Sequence, residues 1–248
     1  MSSRIIQRLA KIFRSKTNEQ TDIDAHQSQK SEMGSVLGRI SKQGFNPGTV
    51  IDIGVGNGTP ELYSSFPDAS LFLIDPLIEF EHVMHSITSG RDGDYIIAAA
   101  GSSATVRSIN VHEEHPEGSS FFKETTPSIS DGKPRDISII TIDDVVTQKK
   151  LKGPFLIKVD AQGFELEIMR GSESVLPITE VVVLEVLLYK FLSENPIFHD
   201  VVSFMHTKGF VCYDIFGLSY RPKDNALAHL DIVFVKENGI IRHDNDWK

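Results

Sequence analysis

The run Val50-Ile51-Asp52-Ile53-Gly54-Val55-Gly56-Asn57-Gly58-Thr59-Pro60-Glu61 constrains the fold of this chain more than any other stretch. Its β-branched start favours a strand, and the strand runs through an acid into a glycine-dense turn and a helix start. Gly54, Gly56 and Gly58 let the backbone turn sharply and approach a ligand that side chains would hold off. Thr59 suits the N-cap of the next helix and Pro60 its first position. The spacing is G-x-G-x-G, whereas a dinucleotide fold carries G-x-G-x-x-G. Asp52 would place negative charge beside a pyrophosphate. It suits a ligand with an ammonium and a sulfonium, such as S-adenosylmethionine. The plainer alternative is a tight strand-to-helix turn without a ligand.

A second acid follows at the expected distance. Leu71-Phe72-Leu73-Ile74-Asp75-Pro76 is apolar up to Asp75 and reads as a buried parallel strand. A carboxylate at the end of that strand can accept hydrogen bonds from both ribose hydroxyls of a nucleoside. Without the glycine loop, Asp75-Pro76 would read only as a turn.

Composition narrows the class. A chain of 248 residues with 40% hydrophobic content can bury a substantial core without disulfides or metals. Cys212 is its single cysteine, which rules out an intrachain disulfide and points to a reducing, cytoplasmic setting. The strongest apolar stretch, Val181 to Tyr189, is short and contains Glu185, so it predicts no membrane span. A net charge of −9 argues against a general nucleic-acid binder.

That charge is unevenly spread. Arg4, Arg8, Lys11, Arg14 and Lys16 all precede the first acid, Glu19. Ile5, Leu9, Ile12 and Phe13 share one helical face. Residues 1–16 therefore read as a basic amphipathic helix, able to make weak peripheral contact with an anionic membrane or a partner through residues 4–16, or to pack on its own domain. Residues 17–32 are polar and read as a flexible linker, leaving 33–248 as the main domain.

From residue 33 strands and helices alternate. Val36, Leu37 and Ile40 make a short amphipathic helix. Strands are expected near 49–53, 71–75 and 95–99, with helices after the first two. Thr105 to Val111 and Asp136 to Ile142 read as additional strands around a Ser/Pro/Gly-rich loop. Phe155 to Asp160 and Val181 to Val186 are further core strands, and Phe198, Val201, Val202 and Met205 mark a helix ending at Gly209. Segments 210–215 and 230–235 complete the pattern as an antiparallel hairpin. The sum is an α/β fold with a mostly parallel, doubly wound sheet and a C-terminal antiparallel hairpin.

Four ordered segments carry a family resemblance. Leu156-Ile157-Lys158-Val159-Asp160-Ala161-Gln162-Gly163-Phe164-Glu165-Leu166-Glu167-Ile168-Met169-Arg170-Gly171 resembles the "KxDxxGxExxxLxG" signature of the FkbM-type methyltransferases. Ile140-Thr141-Ile142-Asp143-Asp144-Val145 is similar to that family's "TLDD" element. Val50 to Gly58 and Ile74-Asp75-Pro76 resemble its cofactor loop and its acid-Pro pair. The resemblance covers roughly residues 48–236 and implies a class I, Rossmann-like methyltransferase fold. It also implies S-adenosylmethionine as donor and a hydroxyl acceptor, often on a sugar or polyketide. Gly56 stands where many members have Asn, and Asp75 where many have Glu.

Methyl transfer to a hydroxyl is an in-line displacement that needs alignment and a base within hydrogen-bond reach. Ligands of parallel sheets sit at the carboxyl ends of strands. Asp160 ends one core strand there and Glu185 lies near the end of the next, so these two are the candidate catalytic residues. Asp160 is equally placed to cap the turn that follows it. Glu185, in an apolar strand, requires a partner, for which Lys158 is available. Asp160 and Glu185 could also hold Mg²⁺, although nothing in the sequence demands a metal. His112-Glu113-Glu114-His115 lacks the H-E-x-x-H spacing and reads as a solvated turn. Glu165 is a further candidate through the signature. Ser119 to Phe122 read as a loop able to close over the site, its adjacent Phe121 and Phe122 being loop anchors more often than substrate contacts; Tyr189, Arg221 and His229 lie where a substrate wall could form, with no argument for any one of them.

The expectation is thus a methyltransferase in which Asp52, Gly54, Gly56, Gly58 and Asp75 bind S-adenosylmethionine and a sugar or glycan hydroxyl is the acceptor. A catalytically silent scaffold and a nicotinamide-dependent oxidoreductase are the alternatives. The intact set of acids weighs against the first and the missing G-x-G-x-x-G against the second.

Overall fold

The computed structural model describes residues 33–126, 132–243 and 246. The basic segment 1–16 and the linker 17–32 lie outside the described residues.

The strands are β1 (Thr49–Ile53), β2 (Ser70–Asp75), β3 (Gly93–Ile97), β4 (Ala99–Ala100), β5 (Thr105–Val111), β6 (Lys133–Ile140), β7 (Phe155–Val159), β8 (Thr179–Leu187), β9 (Phe210–Tyr220) and β10 (Leu227–Lys236). Seven of them form the main sheet in the order β3-β2-β1-β7-β8-β10-β9. The pairs from β3 to β8 are parallel, and β10 runs antiparallel to both β8 and β9. This is the doubly wound, Rossmann-like sheet with a C-terminal antiparallel hairpin. Chain order reverses between β1 and β7, which opens a crevice at the carboxyl ends of those strands.

Helices cover both faces because alternate residues of each central strand are apolar on both sides. Helix α1 (33–42), α2 (Pro60–Ser65) and α3 (Glu81–Thr88) lie on one face, where Leu37, Leu62 and Met84 pack with Val50, Leu71 and Leu73. On the other face α4 (Ile142–Lys149), α5 (Glu165–Arg170) and α6 (Phe198–Thr207) bring Ile142, Ile168 and Met205 against Ile51, Phe72 and Ile157. Among the described residues no helix is long and apolar enough to cross a membrane.

Between β3 and β7 the chain builds a separate small sheet, β4-β6-β5. It covers its own cluster, in which Ile109, Val111, Ile137 and Ile139 meet Leu77 and Phe80. The expected strand Asp136–Ile142 ends earlier, at Ile140. Thr141 is extended and its Oγ1 accepts the Asp144 N–H at 3.1 Å, so Ile142 opens a helix. The acids Asp143 and Asp144 in its first turn favour the positive end of that helix. The hairpin strands run longer than 210–215 and 230–235, because β9 and β10 stay paired across several register shifts.

Two of the sequence motifs meet in one packing joint. The Asp143 N–H donates to the Gly171 carbonyl at 3.1 Å, and the Asp143 carboxylate accepts the Ser174 and Val175 N–H groups at 3.0 and 3.1 Å. The Gly101 carbonyl oxygen sits only 2.0 Å from where a Cβ on Gly171 would lie. Gly171→Ala is therefore expected to destabilise the fold by about 1–3 kcal/mol through forced backbone displacement. Urea denaturation of the wild-type and variant chains measures this directly.

Candidate functional site

The turn after β1 is held from three sides. The Gly54 N–H donates to the Ile74 carbonyl at the end of β2 (2.9 Å), and the Asp160 N–H donates to the Ile53 carbonyl (3.0 Å). A Cβ on Gly54 would stand 1.7 Å from the Asp160 carbonyl oxygen, and its φ of +75° adds a second reason for glycine. Gly56 donates its N–H to the Asp75 Oδ2 at 3.0 Å, while Asp75 Oδ1 accepts the Leu77 N–H at 2.9 Å. Burial raises the Asp75 carboxyl above its ordinary range, against the pull of those two amides. Each of its oxygens retains a lone pair for a further donor.

Asp52 does not reach the ligand side of this turn. It is fully buried behind the loop, where Oδ2 accepts the Tyr63 hydroxyl at 2.6 Å and the Thr59 hydroxyl at 3.1 Å. Thr59 thus spends its hydroxyl on Asp52 and makes no side-chain cap for α2. The Asp52 Oδ1 lies 3.3 Å from the Lys158 Nζ, its direct cross-strand neighbour in the β1–β7 register. Lys158 also donates to the Gly54 carbonyl at 3.2 Å. Burial alone would lower the Lys158 pKa, but Asp52, Asp160 and Asp231 outweigh it and hold the ammonium charged.

Strand alternation explains why these groups converge. Asp52, Lys158, Glu185 and Asp231 share parity with Val50, Leu156, Val183 and Val233, which pack under α1, α2 and α3. Toward the carboxyl ends that face changes from apolar to polar. Glu185 does not pair with Lys158 as expected, since Lys158 is engaged by β1. Its Oε2 instead accepts the Gln162 Nε2 at 3.2 Å and its Oε1 lies 3.2 Å from His229 Nδ1. Burial and the nearby Asp160 raise the Glu185 pKa, and the Glu185 contact raises that of His229.

Asp160 is more open. Its Oδ1 accepts the same Gln162 amide at 3.2 Å, and its Oδ2 stands 3.7 Å from Lys158 Nζ. Asp231, which sequence reading passed over, faces Glu185 directly across the β8–β10 pair. A bulge in β9 between Phe216 and Ser219, with a left-handed Gly217, makes room for it: a Cβ on Gly217 would lie 2.3 Å from Asp231 Oδ2. Burial and then Glu185 push the Asp231 carboxyl up to about 8. The signal was present as an acid at an alternating position of the apolar run Leu230 to Val235.

These groups border a cavity of about 350 Å³ at the crevice between β1 and β7. Gly54, Gly56, Gly58 and Asp75 line it, as do Asp160, Gln162, Lys158 and Asp231. Leu77, Phe80 and Ala98 to Ala100 supply an apolar wall beside Asp75. Asp52 and Glu185 lie behind this lining, not on it. From the insertion, Ser119 and Phe121 reach the cavity, and the rings of Phe121 and Phe122 pack 4.6 and 5.9 Å from that of Phe164. Arg221 stacks 4.0 Å over the Tyr189 ring and pairs with Asp224, so neither belongs to the cavity wall. Among the described residues no group of three His, Cys, Asp or Glu side chains is arranged for a metal, and Mg²⁺ finds no support.

Glu165 has a positional task. Its Oε1 accepts the N–H groups of Ala161 and Gly163, both at 3.1 Å, closing the turn after Asp160. Burial and Glu185 push its carboxyl up to about 8. Glu165 and Asp231 therefore bind protons in the folded chain that the unfolded chain has released above the ordinary carboxylate range. Stability should fall as pH rises from about 5 to about 8. Glu165→Gln keeps the accepting oxygen and should flatten that slope, whereas Glu165→Ala should cost about 1–3 kcal/mol at every pH. Urea titrations across this pH range read both effects.

The sequence pattern of the methyltransferase FkbM domain matches residues 27–212. No curated protein matches the sequence. Among solved structures, the chain is similar to the plantazolicin methyltransferase BamL, with 12% identity, TM-score 0.47 and 90% of each chain covered. It is similar to 1,6-didemethyltoxoflavin-N1-methyltransferase from Burkholderia thailandensis, with 11% identity, TM-score 0.45 and coverage of 95% of this chain and 90% of that one. Magnesium protoporphyrin IX methyltransferase from Synechocystis PCC 6803 gives 11% identity, TM-score 0.45 and coverage of 84% and 80%. With more than half of its length matched by one domain pattern, the chain belongs to the FkbM methyltransferase domain family.

Proposed function

We propose that this methyltransferase uses S-adenosylmethionine to methylate a hydroxyl group of a neutral sugar or glycan. The observation that carries the reading is one cavity bordered by both the Gly54–Gly58 turn with Asp75 and by Asp160. S-adenosylmethionine supplies, when bound, an electrophilic methyl group on a sulfonium. The residues present fit it. Asp75 keeps lone pairs for the ribose hydroxyls, and Leu77, Phe80 and Ala98 to Ala100 offer an apolar surface for the adenine. Gly54, Gly56 and Gly58 leave room for the chain to approach the nucleoside closely. Asp52 supports this site from behind, by holding Thr59, Tyr63 and Lys158 in place.

Asp160 is the residue assigned to the acceptor. Its carboxylate can accept the hydroxyl hydrogen bond and take the proton as the oxygen attacks. Its partly exposed position lets it return that proton to water. Asp160 on the wall disfavours phosphorylated or nucleic-acid acceptors, because Lys158 is already neutralised by Asp52. Glu185 acts behind Asp160, through Gln162. We place the reaction in the cytoplasm and assign the basic residues 4–16 a weak contact with an anionic membrane or a partner.

Calorimetric titration tests the donor. S-adenosylmethionine and S-adenosylhomocysteine are expected to bind in the micromolar range, and Asp75→Ala to weaken both by about tenfold or more, the worth of one charge-assisted hydrogen bond. Failure of both to bind would end the reading, and a response to NAD(H) alone would replace it with an oxidoreductase. Asp160→Asn should leave S-adenosylhomocysteine binding nearly intact while reducing labelled methyl transfer to a sugar panel by about a hundredfold or more.

A further inference from the structure

We propose that Gln162 is a positioning residue, whose side-chain amide struts Asp160 against Glu185 and so fixes the Asp160 carboxylate on the cavity wall; the role rests on the reading of this cavity as a methyl-donor site. Asp160 follows the end of β7 and Glu185 lies within the neighbouring parallel β8, each one residue beyond the β7–β8 pair Val159 and Leu184. Side by side, two carboxylates repel, and each would turn away or hold a proton. The Gln162 Nε2 lies 3.2 Å from Asp160 Oδ1 and 3.2 Å from Glu185 Oε2. An amide nitrogen carries two hydrogens, so one group satisfies both acids. The amide nitrogen faces both acids, the orientation in which carboxylate oxygens find donors.

The backbone of Gln162 points the same way. Its φ of +48° is left-handed, a region that a non-glycine residue occupies at a cost. Gly163 follows with φ +93°, so the turn itself would be served at least as well by glycine at 162. The Ser120 hydroxyl locks the conformation from the insertion by donating to the Gln162 carbonyl at 2.8 Å. Glu165 secures the amides on either side of it. The position is held by backbone contacts that ignore the side chain. What the glutamine adds is its amide.

This makes Gln162→Gly a clean test, because it removes the strut and relieves the left-handed strain together. Its melting temperature should stay within a few degrees of the wild-type value, the relieved left-handed strain offsetting the lost amide contacts. S-adenosylmethionine, which carries the sulfonium charge, should bind about three- to tenfold more weakly once the Asp160 carboxylate is free to swing away. S-adenosylhomocysteine, which lacks the sulfonium charge, should change by about twofold or less on the same argument. The double variant Gln162→Gly, Asp160→Asn should be no weaker than Asp160→Asn alone, because the amide acts through that carboxylate. Independently of any ligand, the Gln162 side-chain NH₂ resonances in a ¹⁵N-labelled chain should shift on Asp160→Asn.

Equal weakening of both nucleosides in Gln162→Gly, additive losses in the double variant, or unmoved amide resonances would overturn the proposal. If the wild-type chain binds neither nucleoside, the donor reading fails, and the amide resonances then decide whether the strut exists.

Discussion

The buried contact between Asp52 and Lys158 is the interaction on which the rest of the site depends. The two residues face each other across β1 and β7, the strands between which chain order reverses. Burying an ion pair is costly, and an apolar pair of similar size would hold the strands together as well or better. An apolar pair could not, however, organise the polar groups around it. Asp52 gathers the hydroxyls of Thr59 and Tyr63 from the start of α2, and Lys158 donates to the carbonyl of Gly54. One ion pair thereby ties the strand, the glycine turn and the following helix into a fixed relation. Losing either partner would leave a charge uncompensated in the interior, which is the expensive case.

From that anchor the electrostatics grade across the crevice. The Asp52 charge is balanced by Lys158, whereas Asp160, Glu185 and Asp231 are only partly balanced by His229 and by Lys158 at 3.7 Å. Burial and mutual repulsion hold the Glu185 and Asp231 carboxyls above their ordinary range. The crevice keeps these acids together by giving each a different neutral or cationic neighbour. Gln162 serves Asp160 and Glu185, His229 serves Glu185, and the bulge at Gly217 admits Asp231. A carboxylate poised beside a cavity is chemically useful only if its neighbours restrain it.

The small sheet inserted between β3 and β7 completes the arrangement. Its loop sends Phe121 and Phe122 to pack with Phe164, with the Arg107 guanidinium 5.3 to 5.7 Å from the three ring centres. Ser120 fastens the Gln162 carbonyl from the same loop. The insertion is a brace for the turn after β7 as much as a wall of the cavity. Adjacent aromatics in a polar loop had two readings, as loop anchors or as substrate contacts. Phe122 is an anchor, and Phe121 both anchors the loop and lines the cavity.

The sequence by itself determined the order and kind of the elements. Apolar runs at 50–53, 71–74, 155–159 and 181–184 could bury both faces only inside a parallel sheet, and the glycine turn after Asp52 admitted few other residues. It also marked Asp75, Asp160 and the glycines as neighbours, because strand ends in such a sheet share one edge. The choice among the acids fell to the tertiary structure. Whether Asp52 or Glu185 faces a cavity depends on which strand lies beside it and what that strand donates. Lys158 went to Asp52 through the β1–β7 register, and Glu185 was left to Gln162 and His229. Asp231 joined the site only because antiparallel pairing set it opposite Glu185. Local pattern fixes which face a side chain takes, since that is a property of one strand. Its partners come from other strands, so only the assembled sheet could decide them.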